Sequence, residues 1–330
     1  MRQLLWLLGA VVLLTGVNVV LPRLVNPYIT QIIILCGINI ILAVSLNLIN
    51  GFTGQFSIGH AGFMAVGAYG AAVFTLQVGE KWVAAMTGAG LPVGVAHGIA
   101  LLVALVIGGL LAAVAGYLVG LPSLRLRGDY LAIVTLGFGE IIRVLILNID
   151  AIGGARGLFG IPVRVDLFWV GLGVVSVVLL ARHVALSTHG RALFAIRDDE
   201  VAAEALGVDT TRYKVLAFVM GAFFAGVAGG LFAHFLSYLN PSSFTFLKSI
   251  EVIAMVVLGG MGSISGSVIA AVVLTLLPEV LRPVKEFRMV IYSLMLIVLM
   301  ITRPQGLLGT RELSLDWLLG RRRAAKQAAR

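Results

Sequence analysis

A stretch of 56 residues, Leu24 to Gly79, contains no Asp, Glu, Lys or Arg and constrains the fold more than any other feature of the chain. A single helix of that length would extend for roughly 84 Å, at about 1.5 Å per residue, whereas the hydrocarbon core of a bilayer is about 30 Å thick. The stretch must therefore fold back on itself in a membrane. Its apolar runs lack the strict alternation of a membrane β-strand, which predicts helices.

The composition of the whole chain is that of an integral membrane protein. Its mean hydropathy is +1.06, 60% of its residues are hydrophobic and 12% are charged, which excludes a soluble globular domain. Its 40 glycines predict close helix packing and broken helices. We therefore predict an all-α, polytopic membrane protein with about ten transmembrane helices, some of them broken.

Ten apolar segments are candidate transmembrane spans. They are Leu4–Val20, Tyr28–Asn50, Ser57–Val78, Val93–Val119, Tyr130–Asn148, Leu167–Arg182, Lys214–Tyr238, Ser249–Met261, Ser263–Leu281 and Arg288–Thr302. The stretch from Glu251 to Pro278 could instead be one tilted helix, without a break at Gly259–Gly262. With two helices, Arg2 and the basic C-terminal tail lie on the same side of the membrane, which the positive-inside rule assigns to the cytoplasm.

The net charge of +9 does not indicate a nucleic-acid partner, because much of the basic charge lies in the C-terminal tail. The basic residues there are Arg303, Arg311, Arg321, Arg322, Arg323, Lys326 and Arg330. Such a tail is typical of the cytoplasmic side of a membrane protein, so we expect both termini in the cytoplasm and membrane lipid around the spans. We divide the chain into a transmembrane domain, residues 1–308 with a cytoplasmic loop at 183–213, and a basic tail, residues 309–330.

The segment from Asn47 to Gly62 concentrates Gly, Asn, Gln, Ser and His between two strongly apolar runs. Non-helical backbone near the membrane persists only where it is buried in protein or lines a wet cavity. The segment therefore predicts a broken helix that lines a translocation path, and a glycine-rich packing corner is the alternative. The path residues that we predict here are Asn47, Gly51, Thr53, Gln55, Ser57 and His60. His60 could relay protons, although a lone His beside small residues is more typical of a hydrogen-bonded packing element.

A G-x-x-G-x-x-S pattern occurs twice, at Gly51–Ser57 and again at Gly259–Ser265. Transporter folds are often built from internal repeats, so the two patterns fit an internal duplication without establishing one. We expect both segments to lie in the interior of the protein rather than to face lipid.

Two pairs of opposite charges lie within or beside the predicted spans. Glu140 and Arg143 are three residues apart in one span and can pair on one helix face. Isolated charges in a bilayer are costly, so this pair either belongs to a polar path or fixes its helix near the outer rim. Lys248 and Glu251 have the same spacing at the outer end of a span, where we expect simple snorkelling of the lysine toward water.

A polar segment of 33 residues, Arg182 to Lys214, interrupts the apolar chain and carries ten charges. Its part from Arg197 to Gly207 predicts one short helix outside the bilayer, with Asp198 as N-cap and Gly207 at the left-handed stop position. A compact, charged helix between two spans indicates a docking element for another protein. A helix lying on lipid headgroups is the alternative, but small apolar residues and net acidic charge fit anionic lipid poorly.

The docking helix has one apolar stripe. Positions recurring at helical spacing form its packing face, which is Val201, Ala202, Ala205 and Leu206. Acidic residues at the N-terminus would cap it, and these are Asp198, Asp199 and Glu200. Arg197 and Glu204 would make polar contacts at the rim.

The chain lacks the residues of several kinds of site. None of its five lysines follows a glycine, so it contains no Walker A sequence G-x-x-x-x-G-K-S/T, and any ATP use must come from a partner. No cluster of His, Cys and acidic residues has metal-ligand spacing, and no nucleophile–base set stands out. We therefore expect no catalytic residue, no metal and no cofactor in this chain.

Five motifs in chain order resemble the LivM-type permease of branched-chain amino acid ABC importers. They are Leu46–Phe63, Gly128–Glu140, Gly190–Glu200, Gly259–Ser263 and Arg303–Leu307. The resemblance implies a bacterial inner-membrane heterodimer with a LivH-type permease, two cytoplasmic ATP-binding subunits and a periplasmic solute-binding protein. It also implies that the polar segment holds the coupling helix, which enters a groove on an ATPase. The coupling residues would be Arg197, Asp198, Glu200, Val201, Ala202, Glu204, Ala205, Leu206 and Gly207.

The function that this resemblance implies is ATP-driven uptake of branched-chain or related neutral amino acids. Similar permeases serve urea or short amides, so the resemblance leaves the cargo open. A different class, an ion-coupled secondary transporter or channel, would have to use Glu140, Arg143 or His60. The shortage of acids deep in the spans disfavours it, because Glu140 alone occupies such a position.

Overall fold

A computed structural model of the protein describes residues 14–22, 24–123, 129–282, 288–302, 306–309 and 312. Most of these residues are helical, which confirms the all-α prediction. The helices are α1 (residues 14–22), α2 (Pro27–Asn50), α3 (His60–Phe74), α4 (Glu80–Gly88), α5 (Val93–Ser123), α6 (Asp129–Asn148), α7 (Leu167–Leu186), α8 (Thr188–Asp198), α9 (Glu200–Ala205), α10 (Thr210–Leu236), α11 (Phe246–Gly259), α12 (Ile264–Val280) and α13 (Arg288–Thr302). A π-helical turn, Thr75–Gly79, joins α3 to α4. Two short strands, β1 (Leu158–Phe159) and β2 (Tyr238–Leu239), pair in antiparallel fashion.

Six helical segments in this part of the chain are long and apolar enough to cross a membrane. They are Pro27–Asn50, His60–Gly88, Val93–Ser123, Tyr130–Asn148, Leu167–Leu186 and Thr210–Leu236. Helix α12 is apolar but shorter, and α11, with 14 residues, is shorter still. The membrane architecture agrees with the prediction, and the count of ten crossings stays a prediction.

The ambiguous stretch between Glu251 and Pro278 forms two helices. Helix α11 ends at Gly259, α12 begins at Ile264, and the turn between them places Gly260 and Gly262 at φ values of +104° and +92°. Only glycine adopts this region without strain, so the turn depends on these two residues. The two-helix alternative is therefore the one that forms.

The core of the bundle consists of α2, α3, α5 and α10. Every residue of α2 from Cys36 to Asn50 is buried. Helices α3, α5 and α10 meet at Gly67, Gly108 and Gly226, where a Cβ on Gly108 would lie 2.6 Å from the Gly67 carbonyl oxygen. Because lipid supplies no hydrophobic force between helices, small residues that let backbones approach closely favour their association.

The predicted spans match the helices in position and differ at their ends. Helix α3 begins at His60 rather than Ser57, because Ser57 is held outside the helix by the Asn50 side chain. Helix α10 begins at Thr210, where the Asp209 carboxylate accepts a hydrogen bond from the Arg212 amide at 3.0 Å. Most of the predicted first span and most of the basic tail lie outside the described residues.

The two ends of the bundle differ in what they carry. The end with α8 and α9, which we call the loop end, also holds the C-terminus of α2 and the turn between α11 and α12. Leu307 returns to this end, where its amide donates to the Leu258 carbonyl oxygen at 2.7 Å. The opposite end, which we call the sheet end, holds β1, β2 and an ion pair of 2.7 Å between Arg164 and Glu80.

Candidate functional site

The two glycine-rich segments Gly51–Ser57 and Gly259–Ser265, which we call the glycine breaks, meet at the loop end. Asn47, in the last turn of α2, accepts a hydrogen bond from the Gly262 amide at 2.8 Å and donates to the Ser263 carbonyl oxygen at 3.2 Å. Gly51 ends α2, and a Cβ there would overlap both Asn47 Oδ1 and the Gly262 nitrogen. The residues that form this junction are mostly buried, which places the breaks in the interior as expected.

The repeated G-x-x-G-x-x-S pattern has a matching geometry in its two copies. The first glycine of each copy lies at a helix end, Gly51 after α2 and Gly259 at the end of α11. The second glycine is left-handed in both, with φ of +69° at Gly54 and +92° at Gly262. Each pattern therefore ends one helix and turns the chain toward the next.

Side chains hold the non-helical segment between α2 and α3. Asn50 Oδ1 accepts from the Ser57 amide at 3.2 Å, and Thr53 Oγ1 donates to the Ile49 carbonyl oxygen at 2.6 Å. Further along, the Ile58 amide donates to Thr135 Oγ1 of α6 at 3.0 Å. Polar groups from neighbouring helices thus replace the missing helical hydrogen bonds.

Four buried polar atoms in this segment have no hydrogen-bond partner among the described residues. They are both amide atoms of Gln55, Ser57 Oγ and His60 Nδ1. An unpaired buried polar group costs about 1–3 kcal/mol. The four atoms lie in the segment that the sequence predicts to line a path, and that role stays a prediction.

His60, at the start of α3, makes one side-chain hydrogen bond. Its Nε2 lies 2.9 Å from Ser45 Oγ, and that hydroxyl already donates its proton to the Leu42 carbonyl oxygen at 2.9 Å. With the Ser45 proton on the Leu42 carbonyl oxygen, Nε2 donates to Ser45 and Nδ1 is an acceptor. This hydrogen bond fits the packing element that the sequence favours for a lone His beside small residues.

Glu140 and Arg143 form the predicted pair. Arg143 Nε lies 2.7 Å from Glu140 Oε2, and the other carboxylate oxygen accepts from the Phe246 amide, at the first residue of α11, at 3.2 Å. The pair therefore fixes α6 to the start of α11, in line with the alternative in which the pair fixes its helix. Glu140 also borders a small cavity next to Gly62 and Ser249.

The polar segment forms two helices instead of one. Helix α8 continues through Arg197 and Asp198, and the extended residue Asp199, at φ −157°, separates it from α9. The Asp199 carboxylate caps α9 by accepting from the amides of Val201 and Ala202 at 2.9 and 3.0 Å. The prediction that Asp198 is the N-cap is wrong, because its carboxylate pairs with the Arg197 guanidinium at 3.1 Å.

Helix α9 is braced on α10 and presents the predicted face outward. Glu200 pairs with the buried Lys214 ammonium at 2.6 Å, and Glu204 accepts from Thr210 Oγ1 at 2.7 Å. The two acids predicted for capping and for rim contacts therefore hold α9 in place. Four residues of the predicted packing face are exposed, and these are Val201, Ala202, Ala205 and Leu206. Gly207, at φ +85°, occupies the predicted left-handed position.

Arg197 faces the glycine breaks instead of the rim of α9. Its Nη1 donates to the Gly51 carbonyl oxygen at 3.3 Å, and its guanidinium lies over the Phe194 ring at 5.1 Å. A Cβ on Gly54 would lie 3.0 Å from Arg197 Cγ, and one on Gly262 would lie 2.9 Å from Arg197 Nη1. One side chain of α8 therefore touches both breaks.

Glu312 makes a contact with the start of α12 that the sequence did not predict. Its carboxylate accepts from the amides of Ile264 and Ser265 at 2.6 and 3.2 Å, and from Ser265 Oγ at 2.6 Å. It caps the N-terminus of α12, where a negative charge is favoured. No local pattern in the sequence indicates this partner, because Glu312 lies far along the chain from α12.

Lys248 does not snorkel to water as expected. Its ammonium donates to Asn39 Oδ1 of α2 at 3.1 Å and to Glu251 Oε2 at 3.0 Å, and Asn39 in turn donates to Thr275 Oγ1 of α12 at 2.9 Å. The interaction with α2 holds the lysine inside the protein. Asn39 and Thr275 are isolated polar residues in apolar runs, and that is the signal by which the sequence could have indicated the cluster.

Within the part of the chain that the structure describes, no group of three His, Cys, Asp or Glu side chains could hold a metal ion. The site at the loop end is a junction in which α8, the end of α2 and the turn before α12 meet. One side chain of α8, Arg197, therefore contacts both glycine segments at this junction.

Comparisons with known proteins agree with this architecture. The sequence profile of the family described as branched-chain amino acid transport system / permease component matches residues 28–302. The chain is 37% identical, over 93% of its length and 75% of theirs, to the high-affinity branched-chain amino acid transport system permease proteins LivM of Escherichia coli K12 and Salmonella typhimurium. It is also 32% identical to LivH of Escherichia coli K12, over 44% of this chain and 47% of LivH. No solved structure matches the chain. The chain therefore belongs to the family of permease components of branched-chain amino acid transport systems.

Proposed function

We propose that this protein is the transmembrane permease subunit of an ATP-driven importer for branched-chain or related neutral amino acids. A periplasmic binding protein hands the substrate to it, and the protein is a transporter component rather than an enzyme. The support is its family, the substrate in the names of its LivM relatives and the absence of a Walker A sequence. Urea or a short amide is the alternative cargo.

The partners of the proposed importer are a second, LivH-type permease subunit, two cytoplasmic ATP-binding subunits and the binding protein. Similarity to LivM and, over part of the chain, to LivH supports a pair of related permease subunits. The importer lies in the bacterial plasma membrane with both termini of this chain in the cytoplasm, which the basic tail supports. The loop end then faces the ATP-binding subunits.

The observation that carries the proposal is the exposed, braced helix α9. Val201 is 61% exposed and Leu206 is 85% exposed, although both are apolar. Residues of α10 hold α9 by an ion pair and a hydrogen bond, so a force on its outer face reaches the bundle without first bending the loop. A groove on an ATP-binding subunit would cover this apolar face.

The proposed coupling route runs from α9 through α8 to the glycine breaks. Asp199 joins the two helices, and Arg197 of α8 contacts both breaks. Movement of the loop would therefore act where the breaks meet, next to the proposed path residues Asn47, Gly51, Thr53, Gln55, Ser57 and His60. Glu140 and Arg143 would border the path from α6.

The experiment that tests the function is uptake of labelled leucine, isoleucine and valine by the reconstituted importer. We expect concentrative uptake that needs the binding protein and ATP and that stops when both ATP-binding subunits carry inactive Walker motifs. Concentrative uptake that persists with the inactive subunits would instead identify an ion-coupled transporter.

The role of α9 has its own test. Replacing the exposed Ala205 by Trp should block assembly with the ATP-binding subunits or separate their hydrolysis from uptake, because the larger side chain cannot enter a groove shaped for Ala. The matched control is Ala85→Trp, which places the same side chain on an exposed alanine of α4. If Ala205→Trp assembles and transports as well as the control, α9 is not the coupling element.

A further inference from the structure

A cavity of about 220 Å³ lies between α2, α11 and α12, apart from the glycine breaks. Its polar lining comes from three helices and comprises Asn39, Lys248, Glu251, Thr275 and Glu279. The remainder of the lining is mostly apolar and includes Leu35, Met64 and Leu274. The cavity thus combines one positive and two negative groups with an aliphatic surface.

The ammonium of Lys248 is oriented by the protein and still able to bind a ligand. It carries three N–H donors. Over the described residues it has two acceptors, Asn39 Oδ1 at 3.1 Å and Glu251 Oε2 at 3.0 Å, so the third donor can meet a ligand. The side chains of Lys248 and Glu251 are 21% and 37% exposed, which leaves the pair accessible from the cavity.

A second carboxylate lies on the cavity wall near the end of α12. Glu279 accepts a hydrogen bond from the Tyr28 hydroxyl, which joins α12 to the start of α2. The Arg282 guanidinium lies over the Tyr28 ring at 5.1 Å. Charged groups within or beside spans are costly, and such groups commonly mark substrate pathways.

We propose that this cavity binds an aliphatic amino acid by its zwitterionic head group during transit. The α-carboxylate would lie against Lys248, the ammonium against Glu251 and Glu279, and the side chain against Leu35. A zwitterion presents one group of each sign and can therefore meet Lys248 and the two carboxylates at once, whereas a lone amine or a lone carboxylate can meet groups of one sign only. The cavity has room for several water-sized groups, which suits a small aliphatic amino acid.

This inference rests on the proposed function, so its first test measures binding without transport. The purified complex of permease and ATP-binding subunits, without the binding protein, is titrated with tritiated leucine in a scintillation proximity assay. We expect saturable binding that leucine and isoleucine displace but isopentylamine and isocaproate, which lack one charged group each, do not. Lys248→Met should weaken binding by about tenfold or more, and Lys248→Arg, which keeps the charge, by less. Absence of saturable binding, or equal displacement by a singly charged analogue, overturns the proposal.

A second test measures specificity, which a purely structural role of the cavity would not alter. Leu35→Phe should reduce leucine uptake relative to alanine, and Leu35→Ala should increase phenylalanine uptake relative to leucine, each by roughly tenfold. The control is Ile33→Phe on the same helix, because Ile33 is exposed and does not line the cavity.

The outcomes separate the two proposals. If the wild-type importer, supplied with its binding protein and ATP, does not concentrate amino acids, the proposed function fails, and the binding assay alone decides the cavity. If the wild-type complex does concentrate them while the Lys248 and Leu35 variants keep wild-type affinity and specificity, the cavity proposal fails and the proposed function stands.

Discussion

Replacement of Asn47 by Ala should loosen the junction of the two glycine breaks. Asn47 accepts from the Gly262 amide at 2.8 Å and donates to the Ser263 carbonyl oxygen at 3.2 Å. The substitution removes both hydrogen bonds and leaves the Gly262 amide, in a mostly buried place, without its acceptor, whereas the Ser263 carbonyl oxygen still accepts from the Ser267 amide and hydroxyl at 3.1 and 3.0 Å. At about 1–3 kcal/mol for one unpaired buried group, we expect a loss of about 1–3 kcal/mol in local stability.

Two measurements on the assembled importer test this expectation. Its midpoint of thermal unfolding in detergent should fall by several degrees, since about 1 kcal/mol shifts the midpoint of a large domain by roughly 2–4 °C. The number of ATP molecules hydrolysed per amino acid transported should rise, because a looser junction transmits less of the movement of α8. Asn47→Asp keeps the acceptor for Gly262 but loses the donor to Ser263, so its effect should be intermediate on unfolding.

The matched control is Asn148→Ala. Asn148 is exposed and donates to the Val144 carbonyl oxygen of its own helix at 2.7 Å, so water can replace this bond. Its loss should change stability by less than about 0.5 kcal/mol. If the Asn47 and Asn148 variants unfold at the same temperature and use ATP with equal efficiency, Asn47 does not hold the breaks together and the coupling route is wrong.

Three further predictions concern packing, capping and coupling. Gly67→Ala should destabilise the complex by about 1–3 kcal/mol or more, because the new methyl group overlaps the backbone of Gly226. Gly137→Ala is the control in a thermal unfolding experiment and should be neutral or slightly stabilising, because a Cβ there meets no atom within 4 Å. Glu312→Gln removes the negative charge at the start of α12 and should speed amide hydrogen exchange in its first turn, while unchanged exchange would show that the carboxylate does not cap the helix. Arg197→Lys keeps the charge but loses the planar fork, so assembly should persist while more ATP is hydrolysed per amino acid; wild-type coupling would contradict the proposed link between α8 and the breaks.

The breaks illustrate how far the sequence could predict the candidate site. Glycine and polar residues at 47–62 indicated where α2 would end and that the segment would be buried. They could not indicate that Asn47 bonds to Gly262, because these residues lie 215 positions apart. The repeat of the G-x-x-G-x-x-S pattern hinted at a relation between the two segments but not at contact.

The polar segment shows the same division on a smaller scale. Its charges predicted a short helix outside the bilayer, and Gly207 predicted its end. The choice between Asp198 and Asp199 as N-cap was not local, since both acids suit the position. Tertiary packing selects Asp199. Arg197 points toward Gly51 and pairs with Asp198, so the Asp199 carboxylate is the one that caps α9.

The sequence by itself therefore determined the membrane environment, the helical class, the approximate positions of the spans and the places where helices break. These features follow from hydropathy and from the backbone preferences of glycine, which act over one or two turns of chain. Tertiary structure alone decided which breaks meet, that Lys248 turns inward to Asn39 and that Glu312 caps α12. Each of these depends on a partner distant in sequence, and a buried polar group selects that partner only when folding brings the two together and excludes water.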